Sequence, residues 1–300
     1  MQRKLCAMSN IGEAMKPRLS VLLFSLVAAA PILLSSSTPR RSLSPGQQIQ
    51  SAYLGFDLNL FPGKDALPTL RRTFAFSSYW LSPPPGEKKN TWLGKRELVR
   101  SQGFGFLLLY RGREIRNIKS EADALAKGAF DARKAAAAAI REGFPKHSVV
   151  FLDIEEGGRL PEMYHAYLHA WARGLAGAGY RPGAYCSGMP VKEEPGVTIT
   201  TADDIRAHAL SADFTFYVFN YGCPPSPGCT FPENPPSPAS SGIPYARLWQ
   251  FAQSPRPREF TAHCAPGYHP DGNCYAPGDA AHAWLLDVDS AISPDPSNGR

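Results

Sequence analysis

The sequence predicts an α/β protein, a single TIM-like (β/α) barrel whose last helices are missing or replaced by Pro-rich, disulfide-stapled loops. Three observations predict it. Eight short apolar or alternating runs follow one another along the chain, helical patterns separate the earlier runs, and about 250 residues contain them all, which is the usual size of such a barrel. Parallel strands need crossover connections, and helices outside the barrel provide them. A doubly wound open sheet is the main alternative.

The eight runs are the candidate strands, and each is too short for a helix. They span residues 53–59, 73–81, 105–110, 148–155, 182–187, 214–220, 246–251 and 283–289.

Residues 120–142 are the clearest helix. Ser120 can cap its N-terminus, Asp123 lies in its first turn, and Gly143 follows as a stop signal. Residues 161–175 and 201–210 predict two further helices. The helical pattern then fails, because residues 222–245 contain eight prolines and no 3.6-residue period.

The N-terminus has the pattern of a secretory signal peptide. An uncharged apolar run at residues 19–34 follows Lys16 and Arg18 and precedes small residues. A retained anchor and a start at Met15 are the alternatives that the sequence leaves open. We therefore expect a secreted or periplasmic protein with a signal peptide at 1–36, a flexible lead-in at 37–51, the barrel at 52–292 and a tail at 293–300.

The charge excludes one class of partner. The chain has a formal net charge of +6, of which the segment before residue 37 carries half. So small a balance gives no support to nucleic-acid binding, which needs basic clusters facing the phosphates. The sequence also lacks a phosphate-binding glycine loop and a G-x-S-x-G elbow. We expect no cofactor, no bound metal, no stable membrane partner and a monomer.

The cysteines favour two short local disulfides. Export permits disulfides, and Cys223 pairs most economically with Cys229, as Cys264 does with Cys274. The sequence alone leaves the connectivity open. Cys186 lies in an apolar run and is expected to be a buried, inert thiol.

Acidic residues end three of the candidate strands. Catalytic groups of barrel enzymes come from the carboxyl ends of the strands. Asp153 and Glu155 alternate with apolar neighbours, so both should face the barrel mouth, whereas Glu156 should point elsewhere. Such carboxylates could cap helices or bind cations. Glycosidase chemistry needs one carboxyl group with a raised pKa, which donates a proton, and one with an ordinary pKa, which stays ionised. Crowding of neighbouring carboxylates can provide both. The remaining strand-end acids are Asp57, Asp287 and Asp289.

A family resemblance rests on five motifs in the order of the chain. The motifs are GFDLN at 55–59, FLDIEEG at 151–157, GAYCSG at 183–188, RLWQFA at 247–252 and LLDVD at 285–289. They resemble the strand signatures of glycoside hydrolase family 25, the barrel lysozymes. YLGFDLNLFPG and FAFSSYWL are more similar to the related glycoside-hydrolase-like domains known as domain of unknown function 1906.

The resemblance implies roles for single residues. Glu155 corresponds to the general acid, Asp153 to the neighbour that assists it, and Asp57 and Asp287 to the other acids of that site. Tyr185 and Trp249 correspond to aromatic residues that contact sugar, since a ring can stack on a sugar face. Asn220, Gln250 and Asp289 are the remaining substrate-binding candidates.

The chain departs from the lysozyme pattern at two places. Its third strand runs LLLYRGREI, and the Pro-rich loop after Asn220 is expected to overhang the cleft. Two functions stay open: an exported glycoside hydrolase acting on a cell-wall or amino-sugar polysaccharide, and a carbohydrate-binding protein with a retained cleft but little catalysis.

Histidines form the other motif of interest. His165 and His169 are spaced i, i+4 on a predicted helix and share a face, for which a solvated face is the preferred interpretation. His263, His269 and His282 lie in or near the second cysteine loop without a recognised metal-binding spacing.

Overall fold

Eight strands close into a barrel, and a two-stranded hairpin lies beside it. A computed structural model describes residues 52–208, 214–222, 224–258 and 265–300. The barrel strands are β1 (Tyr53–Asp57), β2 (Phe76–Trp80), β3 (Gly105–Arg111), β4 (Val149–Asp153), β5 (Arg181–Ser187), β8 (Thr215–Phe219), β9 (Leu248–Ala252) and β10 (Asp287–Ala291), and the hairpin strands are β6 (Val191–Glu194) and β7 (Val197–Ile199).

The strand order confirms the barrel prediction. Neighbours run β1–β10–β9–β8–β5–β4–β3–β2 around a closed circuit, which an open doubly wound sheet would not form. All eight predicted strands are present, with bounds that shift by one to four residues. The hairpin of β6 and β7 is exposed along most of its length, and the sequence did not predict it.

Helices cover the first part of the barrel, as predicted. The long helix α3 begins after Ser120, whose Oγ accepts a hydrogen bond from Asp123 N at 3.2 Å. It is followed by Gly143 at φ +78°, the left-handed conformation that favours glycine. α3 packs against α4, with Gly128 so close to Tyr167 that a side chain would clash. The helices are α1 (Leu67–Arg71), α2 (Arg96–Ser101), α3 (Glu121–Arg141), α4 (Glu162–Gly177) and α5 (Thr201–Ala207).

The Pro-rich connection between β8 and β9 takes the place of a helix. Its described residues, 220–222 and 224–247, contain one 3₁₀ turn, Pro238–Ser241, and no α-helix. The ring of Phe231 packs edge-on against Phe74 at 5.7 Å, and the Ser226 hydroxyl donates to the carbonyl oxygen of Phe251. These contacts fasten the loop to β9 and to Phe74, which precedes β2. That the loop overhangs the cleft stays a prediction.

β10 runs in the opposite direction to its neighbours. It pairs antiparallel with both β1 and β9, whereas the other barrel pairs are parallel. Asp287 therefore begins the strand, and the prediction that Asp287 and Asp289 end it is wrong. The physical reason is the missing helix, because an antiparallel neighbour needs no crossover and the chain can enter β10 at the end where β9 finished.

One disulfide differs from the predicted pairing. Cys229 is bonded to Cys274, across 45 residues of sequence. Since this bond uses one cysteine from each predicted pair, both predicted pairs, Cys223 with Cys229 and Cys264 with Cys274, are wrong. The reason is that the two loops meet in space, with Cys229 N donating to Pro266 O at 3.0 Å. Cys223 and Cys264 lie outside the described residues, and Cys186 is a free, buried thiol as expected.

The barrel interior below the mouth is filled by aromatic rings. A side chain at Gly55 would meet the ring of Phe76 at 2.1 Å, and one at Gly183 would meet the ring of Phe151 at 2.6 Å. Glycine at these two positions therefore makes room for the rings. The polar groups of the mouth lie directly above this packed layer of rings.

Only the C-terminal end of the chain lies within the described residues. Residues 1–51, with the predicted signal peptide and lead-in, lie outside the described residues. The predicted tail at 293–300 closes the other end of the barrel, where Asp295 Oδ1 accepts from Phe106 N and Ser297 Oγ accepts from Leu108 N. None of the helices within the described ranges is long and apolar enough to cross a membrane.

Candidate active site

Carboxylates from three strands converge at the barrel mouth. Asp57 ends β1, Asp153 ends β4 and Asp287 begins β10. Asp57 and Asp287 stand opposite each other in the pairing of their strands. The reversed direction of β10 thus brings Asp287 to the same end of the barrel that a parallel strand would have given it. The prediction was wrong about the direction of β10, but it placed the Asp287 carboxylate at the mouth, where the structure has it.

Asp153 and Glu155 line one side of the mouth together. Asp153 is buried, whereas Glu155 lies two residues beyond the strand and is exposed. Burial and the nearby Glu155 and Asp57 carboxylates raise the pKa of Asp153 well above its ordinary value. Partial burial and Glu156 raise the pKa of Glu155. Glu156 lines the same recess, and its Oε1 accepts a hydrogen bond from Ile115 N at 2.8 Å.

Asp57 and Asp287 form a second acidic pair beside a second recess. Burial raises the pKa of Asp57 to about 6, and the nearby Ser78 and Trp80 side chains oppose the rise. Burial and the Asp57 carboxylate raise the pKa of Asp287 well above its ordinary value. Asp287 is held by Ser254 N, which donates to its Oδ1 at 2.7 Å. Carboxylic acids with raised pKa values can carry protons near neutral pH, which general acid catalysis requires.

A buried hydrogen-bond network lies under these acids. Tyr185 Oη donates to Gln250 Oε1 at 2.8 Å, and Gln250 Nε2 lies 3.4 Å from both Tyr217 Oη and Asp287 Oδ2. Tyr217 Oη donates to Asp289 Oδ1 at 2.8 Å. The structure therefore brings three predicted substrate residues, Tyr185, Gln250 and Asp289, into one network with Asp287. Asp289 is fully buried, deeper in the barrel than a sugar-contacting residue would lie.

Two predicted substrate residues do not line the mouth. Trp249 is fully buried, and alternation along β9 turns its side chain away from the face that carries Gln250. Its Nε1 donates to Asn220 O at 2.6 Å. The Asn220 side chain is occupied as well, donating to Ser241 O at 2.8 Å and accepting from Gly222 N at 3.2 Å. Both residues hold loops together, which corrects their assignment as sugar contacts.

Two residues that line the mouth were not predicted from the sequence. Arg111 ends β3 directly beside Asp153 and lines the same recess as Glu155, and its positive charge opposes the rise in the pKa of both acids. Trp284 is half-buried and lines the recess that contains Asp57 and Asp287. Alternation from Leu109 could have placed Arg111 at the mouth. Trp284 lies within the predicted strand 283–289, but the observed strand begins at Asp287, so alternation along the predicted strand could not place the Trp284 side chain.

The mouth acids do not form a metal centre with the other described side chains. Within the described ranges, the one cluster of His, Cys, Asp and Glu residues close enough to share an ion comprises His165, Asp204 and His208. That cluster lies between α4 and α5. His165 therefore has its neighbours on α5, and the interpretation of His165 and His169 as one solvated face is wrong for His165, which is buried.

The sequence of the central part of the barrel is similar to a known domain. Residues 80–217 match the family model described as Rv2525c-like, glycoside hydrolase-like domain. The chain has a glycoside-hydrolase-like barrel. The match runs from the end of β2 into β8 and includes both Asp153 and Glu155, and it confirms the resemblance drawn from the strand motifs. No protein of the curated set matches the sequence.

Three solved structures are similar to this chain at low sequence identity. An uncharacterized protein of B. stearothermophilus is 20% identical, with 80% of this chain and 95% of that chain covered and a TM-score of 0.52. The Tat-secreted protein Rv2525c of Mycobacterium tuberculosis, in complex with HEPES, is 14% identical, with 82% and 96% covered and a TM-score of 0.45. The bacterial lysozyme of Streptomyces coelicolor is 11% identical, with 82% and 97% covered and a TM-score of 0.47. At these identities the likeness concerns the fold alone.

Proposed function

We propose that this protein is an exported glycoside hydrolase that cleaves a cell-wall or amino-sugar polysaccharide of the peptidoglycan type, with Glu155 as general acid and Asp153 assisting it. The observation that carries the proposal is the pair of Glu155 and Asp153 at one side of a barrel mouth that also contains Asp57 and Asp287. The glycoside-hydrolase-like domain match over both residues supports it.

Exposure separates the roles of the two neighbouring acids. Glu155 is exposed, so its carboxyl group can reach the oxygen of a glycosidic bond, and its raised pKa favours the protonated form that donates. Asp153 is buried behind it. It can position the N-acetyl group of an amino sugar or stabilise positive charge that develops at the anomeric carbon.

The second recess would hold the neighbouring sugar. Asp57 and Asp287 can accept hydrogen bonds from hydroxyl groups, and Trp284 offers a partly exposed ring on which a sugar face can stack. The Trp284 backbone is fixed, because Trp284 N donates to Asp279 Oδ2 at 2.9 Å and Ala283 N to Asp279 Oδ1 at 3.0 Å. Trp284 thus takes over the platform role first expected of Trp249.

Export fits a substrate of this class. The apolar run at residues 19–34 has the pattern of a signal peptide, and the disulfide between Cys229 and Cys274 is typical of proteins outside the cytosol. A polysaccharide of the cell wall lies in the compartment that such a protein enters.

The proposal is tested by comparing the wild-type protein with Glu155→Gln on peptidoglycan and on chitin-type oligosaccharides. The number of new reducing ends is measured. We expect wild-type release and a loss of at least about 100-fold in Glu155→Gln, since general acid catalysis contributes roughly 10²–10⁴-fold. Glu121→Gln is the matched control, because Glu121 is exposed at the start of α3, outside the recess that contains Glu155, and activity should stay close to wild type. Equal release by wild type and Glu155→Gln would contradict the proposal.

Arg111 favours a second candidate function. Arg111 lies beside Asp153 in the strand pairing and lines the recess with Glu155, where its charge opposes the rise in the pKa of both acids. A cation at this place favours the ionised form of Glu155, which cannot donate a proton. The polar groups of the recess can still form hydrogen bonds with a sugar. Binding of chitin-type oligosaccharides without release of reducing ends would support a carbohydrate-binding protein instead.

A further inference from the structure

Three metal-binding side chains meet between α4 and α5, outside the mouth network. His165 is in the first part of α4, Asp204 is in α5 and His208 follows α5 directly. Each offers one ligand atom, and the three atoms lie within 4.8 Å of one another. Two imidazoles and a carboxylate are the donor set that Zn²⁺ accepts in many proteins.

His165 is buried without a hydrogen-bond partner. Its side chain is only 3% exposed, and within the described parts of the chain neither ring nitrogen has a hydrogen-bond partner. Nε2 lies 3.0 Å from Asp204 Oδ2, yet the two groups are not aligned for a hydrogen bond. A buried polar group left in this state calls for an explanation, and a cation shared by Nε2 and the carboxylate provides one.

The tautomer of His208 leaves a nitrogen free for a metal. Its Nδ1 lies 2.8 Å from the carbonyl oxygen of Asp204. A carbonyl oxygen only accepts, so Nδ1 carries the hydrogen and Nε2 of the neutral ring keeps its lone pair. Metal-binding histidines are commonly oriented by such a bond from the second nitrogen to a backbone carbonyl. Glu162 Oε1 lies 3.7 Å from Nε2.

The charges around the cluster leave room for a cation. Asp204 is fully buried, and its Oδ2 accepts from Leu160 N at 2.8 Å. The one basic side chain in contact with it among the described residues is Arg159, whose Nη1 lies 3.5 Å from Oδ1 and whose Nε is 3.1 Å from Glu193 Oε2. Arg159 is thus shared with Glu193, and the carboxylates of Asp204 and Glu162 outweigh it.

We propose that His165, Asp204 and His208 bind a zinc ion, with Glu162 or a water molecule as fourth ligand. This proposal revises the expectation that the chain holds no metal. The two imidazole rings are stacked, with centroids 3.5 Å apart and planes at 15°, whereas a bound ion lies near the plane of each ring. The His208 ring therefore turns out of the stack on binding, for which its 28% exposure leaves space.

The position of the site indicates a structural role. Asp204 holds Leu160 N, and Thr201 Oγ1 donates to Gly158 O at 3.0 Å. Both contacts fasten the loop between β4 and α4, which also contains Glu155. A zinc ion shared by α4 and α5 would fix the two helices that hold this loop. The site is distinct from the proposed catalytic carboxylates.

The test uses the full chain, stripped with a chelator, dialysed and titrated with Zn²⁺ alone by calorimetry. We expect one ion per chain, and a melting temperature that rises by about 5 °C or more at a zinc concentration of about 100 times the Kd. His208→Ala should weaken binding by more than about 100-fold, because even changes of second-shell partners cost 10–100-fold. Asp204→Asn, which keeps the acceptor for Leu160 N, should weaken binding as well.

His169→Ala is the matched control, since this residue lies on the same helix outside the cluster. It should bind zinc as the wild type does. Circular dichroism in chelator confirms that each variant is folded. Absence of stoichiometric binding by the wild type, or equal binding by wild type and His208→Ala, would overturn the proposal.

Discussion

At the scale of single residues, Tyr217 is the group on which the buried network depends. It is fully buried and donates to Asp289, whose other carboxylate oxygen, Oδ2, has no hydrogen-bond partner among the described residues. Removing the Tyr217 hydroxyl leaves neither oxygen of the buried Asp289 carboxyl group with a hydrogen bond among the described residues. A buried polar group that loses its partner destabilises a protein by about 1–3 kcal/mol.

We therefore expect Tyr217→Phe to lower the free energy of unfolding by about 1–3 kcal/mol. Urea denaturation followed by circular dichroism measures it. Tyr53→Phe is the control, because Tyr53 is only partly buried at the start of β1, and it should change stability by less than about 0.5 kcal/mol. A loss in Tyr217→Phe no larger than in Tyr53→Phe would show that the bond to Asp289 contributes little.

The sequence predicted these residues unevenly, and the reason is periodicity. Strands that are apolar on both faces carry no signal for which face points inward. The run around Trp249 and Gln250 is of this kind, so the inward Gln250 and the outward Trp249 were both assigned to the site. Asp153 and Glu155 were placed correctly at the mouth because polar residues at the end of an apolar run mark where the strand leaves the core.

At the scale of elements, strands were predictable and their connections were not. An apolar run has the same appearance in either direction, so β10 was located but not oriented. Disulfide pairing depends on which loops meet in space, and proximity in sequence is a poor guide to that. Cys229 and Cys274 join the loop that replaces a barrel helix to the loop that leads into β10.

This bond should contribute strongly to stability. It closes a long loop, with a sequence separation of 45, and the chain-entropy model gives about 4 kcal/mol for a loop of that size. We expect the double variant Cys229→Ser, Cys274→Ser to lose about 2–4 kcal/mol of unfolding free energy in urea denaturation.

Cys186→Ala serves as the comparison for the disulfide variant. Cys186 is a buried free thiol, so this change removes a buried cysteine without removing the bond and should cost no more than about 1 kcal/mol. If both variants lost the same amount, the effect would arise from the buried sulfur atoms and not from the bond between the loops.

At the scale of the whole molecule, burial in the barrel disfavours the ionised form of several carboxyl groups. Burial raises the pKa of Asp57, Asp153, Asp287 and Asp289. The native state consequently binds more protons than the unfolded state once the pH exceeds the unfolded value of about 3.9. Stability then falls as pH rises, until the native groups ionise as well.

Two other kinds of group act in the opposite sense. The surface residues Glu97, Asp123 and Asp271 have lowered pKa values, so their contribution is lost only as the pH falls below about 4.5. Burial lowers the pKa of His165, so this residue favours folding as the pH rises towards about 6.5. The net slope between pH 4.5 and 7 is thus set by the four aspartates and Glu155 against one histidine.

We expect the unfolding free energy of the wild type to decrease from about pH 4.5 to about pH 7, and Asp57→Asn to remove part of that decrease. Asp57 has a native pKa of about 6 against an ordinary 3.8, which corresponds to about 3 kcal/mol at most. Asp57→Asn also relieves Asp153, Asp287 and Asp289, whose pKa values the Asp57 charge raises. Urea denaturation at both pH values measures the difference. Parallel pH profiles for wild type and Asp57→Asn would mean that Asp57 ionises in the folded barrel as readily as in water.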